Sequence, residues 1–294
     1  METQSRVERA LEAVLARAEA APAPPRLAKA LRHALFPGGA RVRPQLCLAV
    51  AGACEEDQPM LSDAAAASVE LIHCASLVHD DMPVFDDADI RRGRATVHAA
   101  FDEPLALLTG DALIVAAFEA LAHASAAAGT QAPRRLPGLV AALARASGMP
   151  GGIVAGQGWE SEDEIDLAPY HRAKTGALFV AATRMGALAA GADPMPWRAL
   201  GEKLGEAYQV ADDLRDALST PEELGKPAGQ DGLHARPNAV TELGVGGAAA
   251  RLEGLLAEAT DSIPECRGAE SLRKLVRVQA KRLTPAKLAP AGVA

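Results

Sequence analysis

Apolar residues recur along this chain at helical rather than strand spacing, mostly as Ala- and Leu-rich runs broken by Gly or Pro. Residues 4–20 read as an amphipathic helix, closed by the Pro-rich break Ala21–Pro25. A second helix runs to about Leu35 and stops at Phe36-Pro37-Gly38-Gly39; a third opens at Pro44 and reaches about Ala53. Ser62 is placed as the N-cap of a long apolar helix through Asp81. Further helices are predicted at about 104–128, 134–148, 170–190, 196–218, 245–261 and 269–283, with a Gly- and Pro-rich loop from Thr220 to Asn238. The N-terminus and a tail from about 284 are expected to fray. No internal repeat or linker divides the chain, so one all-α domain over 1–294 is the simplest description.

Composition supports this. Hydrophobic residues make up 49% of the 294 positions and aromatics only 3%, so the core must be built from Ala, Leu, Val, Ile and Met. Ala, Leu and Met in particular favour helix. A net charge of −8 argues against nucleic acid as a partner, because a phosphate backbone needs a basic surface. The first residues lack an apolar signal core, and no uncharged apolar run reaches eighteen residues, so no membrane span is expected. Cys47, Cys54, Cys74 and Cys266 form no C-x-x-C pair and are read as buried free thiols of a cytoplasmic protein.

Two acidic clusters interrupt the apolar helices. The first, His79 to Gly93, holds five aspartates within ten residues: Asp80, Asp81, Asp86, Asp87 and Asp89. It follows the apolar run Val69–Val78 directly, so it is not simply a solvated face. Asp80 and Asp86 would lie on different faces of a regular helix, but Pro83 cannot continue the ladder and bends the chain between them. That bend turns Asp86 back toward Asp80. In the second cluster, Gln209 to Asp216, Asp212 and Asp216 stack one turn apart and repel unless Arg215, another base or a metal neutralises them. Carboxylates concentrated in this way suit a bound cation, and no EF-hand spacing is present.

These clusters resemble the two aspartate-rich motifs of the trans-polyprenyl diphosphate synthase family, the first in its longer form. Further landmarks agree in order: Gly38-Gly39-Ala40-Arg41-Val42-Arg43-Pro44, Thr109-Gly110-Asp111-Ala112-Leu113, Gly156-Gln157, Lys174-Thr175-Gly176 and Leu224-Gly225-Lys226. Gly156 to Glu162 and His234 to Val240 are most similar to bacterial geranylgeranyl diphosphate synthases of carotenoid pathways. The resemblance implies a helical bundle around a central cavity, a homodimer and three magnesium ions. It also implies transfer of an allylic group (dimethylallyl, geranyl or farnesyl diphosphate) onto isopentenyl diphosphate. Asp80 and Asp86 would hold two ions and Asp212 the third, with Asp81, Asp213 and Asp216 as shared or supporting ligands. Arg91, Lys174 and Lys226 would grip the allylic diphosphate, assisted by Thr175 and Gln209. Arg43, His73 and Arg92 would bind isopentenyl diphosphate.

The chain also departs from the pattern. Ala40 stands where the family has a lysine, and Arg41 is the neighbour expected to compensate. Glu160 stands near a position that is often Asp. The prenyl tail is expected to grow beside the helix leading into Asp80, at about one isoprene unit per 5.4 Å turn. Ala75 and Ser76 are small and leave room, while Leu71, Ile72 and Phe118 would form a floor, which points to a twenty-carbon product. A farnesyl diphosphate synthase, a terpene cyclase and a non-catalytic subunit are the alternatives. The second D-D-x-x-D motif stands against a cyclase.

Overall fold

Alanine fills the interior of this protein and lets its helices run close together. The computed structural model describes residues 2–218 and 238–283. Its helices are α1 (Glu2–Ala18), α2 (Pro25–Leu35), α3 (Val42–Ala53), α4 (Pro59–Asp80), α5 (Val97–Ala100), α6 (Glu103–Ala127) and α7 (Ala132–Ser147). They continue with α8 (Ile153–Trp159), α9 (Leu167–His171), α10 (Ala177–Ala189), α11 (Arg198–Leu218), α12 (Ala239–Asp261) and α13 (Ala269–Leu283). The predicted loop residues 220–237, with Lys226, and the tail from 284 lie outside the described residues.

α4 is mostly apolar, as a central helix must be, and buries Ala64, Ala65, Ala66 and Ala67 in succession. It packs against α6, α3, α10, α1 and α2. One core runs from Val7 to Val276, and a smaller cluster joins Ala207, Val210, Ala211 and Leu214 of α11 to Ala248, Leu252 and Leu255 of α12. Among the described residues, α4 and α6 are long and apolar enough to cross a membrane; most of that stretch of α4 is buried within the protein. Cys47 and Cys74 are buried as expected, whereas Cys54 and Cys266 are only half-buried.

Several boundaries differ from the sequence reading. α1 begins at Glu2, two residues ahead of the predicted start at 4. Ser62 is not an N-cap: α4 starts earlier, at Pro59, where proline has no hydrogen bond to lose, and Ser62 is buried inside the helix. The predicted helix 170–190 is three pieces, with a π-helical turn, Arg172–Gly176, between α9 and α10. The short helix α8 and a two-stranded hairpin, β1 (Ile90–Arg91) with β2 (Arg94–Ala95), were not predicted. Arg92 and Gly93 connect the strands with positive φ (53° and 73°), as a two-residue hairpin turn requires. α12 begins before the predicted 245 because Asn238 and Thr241 form a capping box and the chain kinks at Gly244.

Arg41 anchors the start of α3. Its backbone is left-handed (φ 51°), and its guanidinium lies where a Cβ on Gly38 would sit, 2.0 Å away, so only glycine fits there. It donates to Glu70 Oε1 (2.8 Å), Glu8 Oε1 (3.0 Å) and the Leu35 carbonyl (2.6 Å) and is almost wholly buried. Arg41 is therefore committed to the interior and does not compensate for the lysine missing at Ala40. Removing one partner of a buried pair leaves an uncompensated charge and costs about 3–5 kcal/mol. Glu70→Ala should lose stability on that scale in urea unfolding, and Glu8→Ala, at the half-exposed rim, clearly less. Equal losses would show that the Glu70 pair is not the anchor.

Candidate active site

The first carboxylate cluster sits where α4 ends. After Asp81 the helix gives way to a turn, with Met82 N–H donating to His79 O at 3.0 Å. Asp86 N–H then donates back to Asp80 O at 2.9 Å, so the bend at Pro83 does bring Asp86 over Asp80. Asp80 keeps 16% of its side-chain exposure. Burial pushes its carboxyl up to about 6, a shift that Lys174 opposes and Asp86 reinforces. Asp81 is buried and accepts from Arg91 Nε and Nη2, at 2.7 and 2.6 Å. The pair fixes Arg91 beside the cluster.

The π turn aims two more groups inward. π-turns interrupt the helical register and recur at functional sites. Here the turn directs Lys174 Nζ to Glu160 and to within 3.8 Å of Asp80. α8 comes close enough for this because Gly156 has no Cβ; one would meet the Lys174 backbone at 2.5 Å. Thr175 donates to Gln209 (2.9 Å), and Gln209 donates to Asp213 (3.0 Å). Asp213 is buried and accepts from Ala239 N–H at 2.8 Å, which ties α11 to the start of α12. The second motif is thus divided: Asp213 serves the scaffold, Asp212 is exposed and paired with Arg215, and Asp216 is half-buried.

A separate basic pocket lies on the α3 side. Arg43 lies 4.6 Å over the Phe179 ring and 5.8 Å from the Tyr208 ring, with Nη1 3.5 Å from His73 Nε2. Arg92 reaches across from the hairpin and lies against Gly39, where a Cβ would approach its guanidinium to 2.6 Å. Among the described residues neither arginine has an ion-pair partner, and Arg43 Nε is buried without a hydrogen bond. Burial holds the His73 imidazole well below its ordinary range, and the charges of Arg43 and Arg92 push it further, so it is neutral. Guanidinium groups without an ion-pair partner among the described residues, beside a neutral imidazole, are a setting chemically suited to an anion. Ala40, at its edge, is exposed and contributes no charge.

Ala75, Ile72 and Leu71 are buried along α4. Ser76 donates to His73 O at 2.9 Å. Phe118 packs half-buried against the core. Ser68 donates to Ala117 O at 2.7 Å and so clamps this part of α6 to α4, about 18 Å below Asp80 at 1.5 Å per residue. Among the described residues no three histidines, cysteines or carboxylates already converge as a metal cage. Asp80 and Asp86 nonetheless fit magnesium by chemistry: they are oxygen donors, adjacent in the fold, and the carboxyl of Asp80 is raised by burial and by Asp86, a penalty that a bound cation would offset. The sequence reading gave no role to Tyr170, Tyr208 or Phe179. A usable signal was there: the chain has only two tyrosines, and both stand at this site.

The sequence profile described as "Polyprenyl synthetase" matches residues 24–266. The chain is 60% identical to a geranylgeranyl diphosphate synthase of Cereibacter sphaeroides over 289 residues, 98% of this chain and 99% of that protein. It is 51% identical to one of Rhodobacter capsulatus, over 96% of each chain. Among solved structures it is similar to a geranyltransferase of Helicobacter pylori complexed with magnesium and isoprenyl diphosphate. The TM-score there is 0.78 and the identity 27%, covering 96% of this chain and 98% of that one.

The depressed His73 predicts a pH dependence. The unfolded chain binds a proton near the ordinary 6.5 and the folded one does not. Stability from this group is present above that pH and is lost as pH falls through it. Proton NMR should show the His73 ring neutral at pH 6, and His73→Asn should make the acid-side loss of stability shallower. A His73 titrating at its ordinary value would refute this.

Proposed function

The chain belongs to the polyprenyl synthetase family, and on that premise we propose that it is a geranylgeranyl diphosphate synthase. It joins isopentenyl diphosphate head-to-tail to an allylic diphosphate: dimethylallyl, geranyl or farnesyl. One observation carries this reading: two separate cationic settings stand near one end of α4. One, at Lys174 and Arg91, is interleaved with carboxylates; the other, at Arg43 and Arg92, has no ion-paired carboxylate among the described residues. Two settings suit two diphosphates that must be bound differently.

The allylic carbon–oxygen bond breaks and its electron pair leaves with the diphosphate. Magnesium, three ions by the family resemblance, supplies charge stabilisation to that leaving group when bound. Asp80, Asp86 and Asp212 would hold it, supported by Asp81 and Asp216. Lys174 binds the departing diphosphate from the side of Asp80, and Arg91, oriented by Asp81, binds it as well. Thr175 and Gln209 brace each other beside Lys174. Lys226 completes the grip by resemblance, outside the described residues. Arg43, Arg92 and His73 hold the diphosphate of isopentenyl diphosphate, whose double bond supplies the electrons of the new carbon–carbon bond. The released diphosphate takes the proton that is lost. The apolar walls of α4 keep water from the cation.

The tail extends past Ala75 and Ser76 toward Ile72, Leu71 and Phe118. The exposed apolar residues Leu107, Leu108 and Val115 of α6 form the face that we assign to a homodimer.

Purified protein with magnesium, labelled isopentenyl diphosphate and each allylic primer should yield geranylgeraniol after dephosphorylation, and none after chelation. Ala75→Phe should shift the product toward farnesol while turnover persists; unchanged length would sink the tunnel assignment. Val115→Glu buries a charge in the assigned interface, so sedimentation should show dissociation to monomers. A wild-type protein that is already a monomer would refute the interface.

A further inference from the structure

The mechanism above leaves unused a part-buried acidic group beside Lys174. Among the described residues, Glu160, at the C-terminal end of α8, accepts on one carboxylate from Tyr170 O–H at 2.6 Å, Gln157 Nε2 at 2.9 Å, and Lys174 Nζ. Its side chain is 12% exposed. Tyr170 and Lys174 bind Oε1 and Gln157 binds Oε2, so the carboxylate cannot turn with the lysine.

Lys174 has two carboxylates within reach. It hydrogen-bonds Glu160 and stands 3.8 Å from Asp80, beyond hydrogen-bond range. An ammonium released from Glu160 would close on Asp80, which is desolvated and already repelled by Asp86. A direct Lys174–Asp80 pair would neutralise the carboxylate that has to accept a divalent cation, and would turn the lysine away from the leaving group. We infer that Glu160 is a positioning residue that holds Lys174 off Asp80, so that Asp80 stays open to the divalent cation and the ammonium stays aimed at the leaving diphosphate. Tyr170 and Gln157 serve by fixing Glu160. The inference rests on the prenyl-transfer reading for the identity of that diphosphate.

Calorimetric titration of the metal-free full chain with magnesium and inorganic diphosphate tests it, in a double-mutant cycle of Glu160→Gln and Lys174→Gln. Glu160→Gln keeps the shape and removes the charge, and should weaken binding about tenfold, equivalent to 1.4 kcal/mol. In the Lys174→Gln background the same change should have an effect of less than about twofold, because no lysine remains to be released. Glu160→Asp keeps the charge and should recover most of the affinity. The KM for the allylic substrate should rise in Glu160→Gln while that for isopentenyl diphosphate holds. If Glu160→Gln does not fold, Tyr170→Phe replaces it and should weaken binding about threefold, again only when Lys174 is present. Equal weakening in both backgrounds, or none in either, overturns the inference and leaves the prenyl-transfer reading standing. Wild-type protein that binds no magnesium diphosphate overturns both.

Discussion

Asp80 ends a mostly apolar, central helix, and its carboxylate is largely stripped of water before any ligand arrives. Much of the surrounding structure manages that charge. The turn at Pro83 adds a second carboxylate where a cation is wanted, which raises the repulsion further. Arg91 and Lys174 counter it, but each is held mainly by another acid, Asp81 and Glu160. The charge is thus compensated at a distance without being cancelled by a direct pair. In a low-dielectric setting that leaves a strong field for an incoming cation, with little reorganisation left to do.

The basic pocket obeys the opposite rule. Arg41 and Arg43 are two residues apart, yet they do different work. The left-handed backbone at Arg41 sends its side chain inward to Glu70, while Arg43, inside the first turn of α3, lies against Phe179 and Tyr208. Stacking on rings satisfies a guanidinium without neutralising it, which is how an arginine can be kept charged and unpaired in a part-buried place. The neutral His73 follows first from its burial, and with Arg43 and Arg92 close a third positive charge is disfavoured further.

Much of this was legible in the sequence. Helix after helix declared itself by period and by Gly or Pro stops, and the paired aspartate motifs marked the site and its chemistry. The bend at Pro83 followed from proline alone. What could not be read were features set by tertiary partners. Nothing local distinguishes Asp213, a scaffold residue tied to Ala239, from exposed Asp212 beside it. Arg41 looked like a free cation because its partners, Glu8 and Glu70, are distant in sequence. Ser62 resembled a cap because a serine before an apolar run usually is one, but Pro59 starts the helix a turn earlier. The π turn at Lys174 has no periodic signature, although it is what turns the residue toward Asp80.

The vacancy at Ala40 can be weighed against what the pocket retains. A charge-assisted contact is worth about 1.5–3 kcal/mol, and more where the donor gives up no other partner and little water on binding. Arg43 meets that condition: it is desolvated and, among the described residues, has no ion-pair partner and a buried Nε with no acceptor. Arg92 has no ion-pair partner among the described residues either, though it is exposed, and lies over the glycine next to Ala40. A long lysine at position 40 would start among water molecules and would have to be ordered as it bound. The arginines kept here begin the reaction partly ordered, so the loss of one flexible cation removes less affinity than its formal charge suggests.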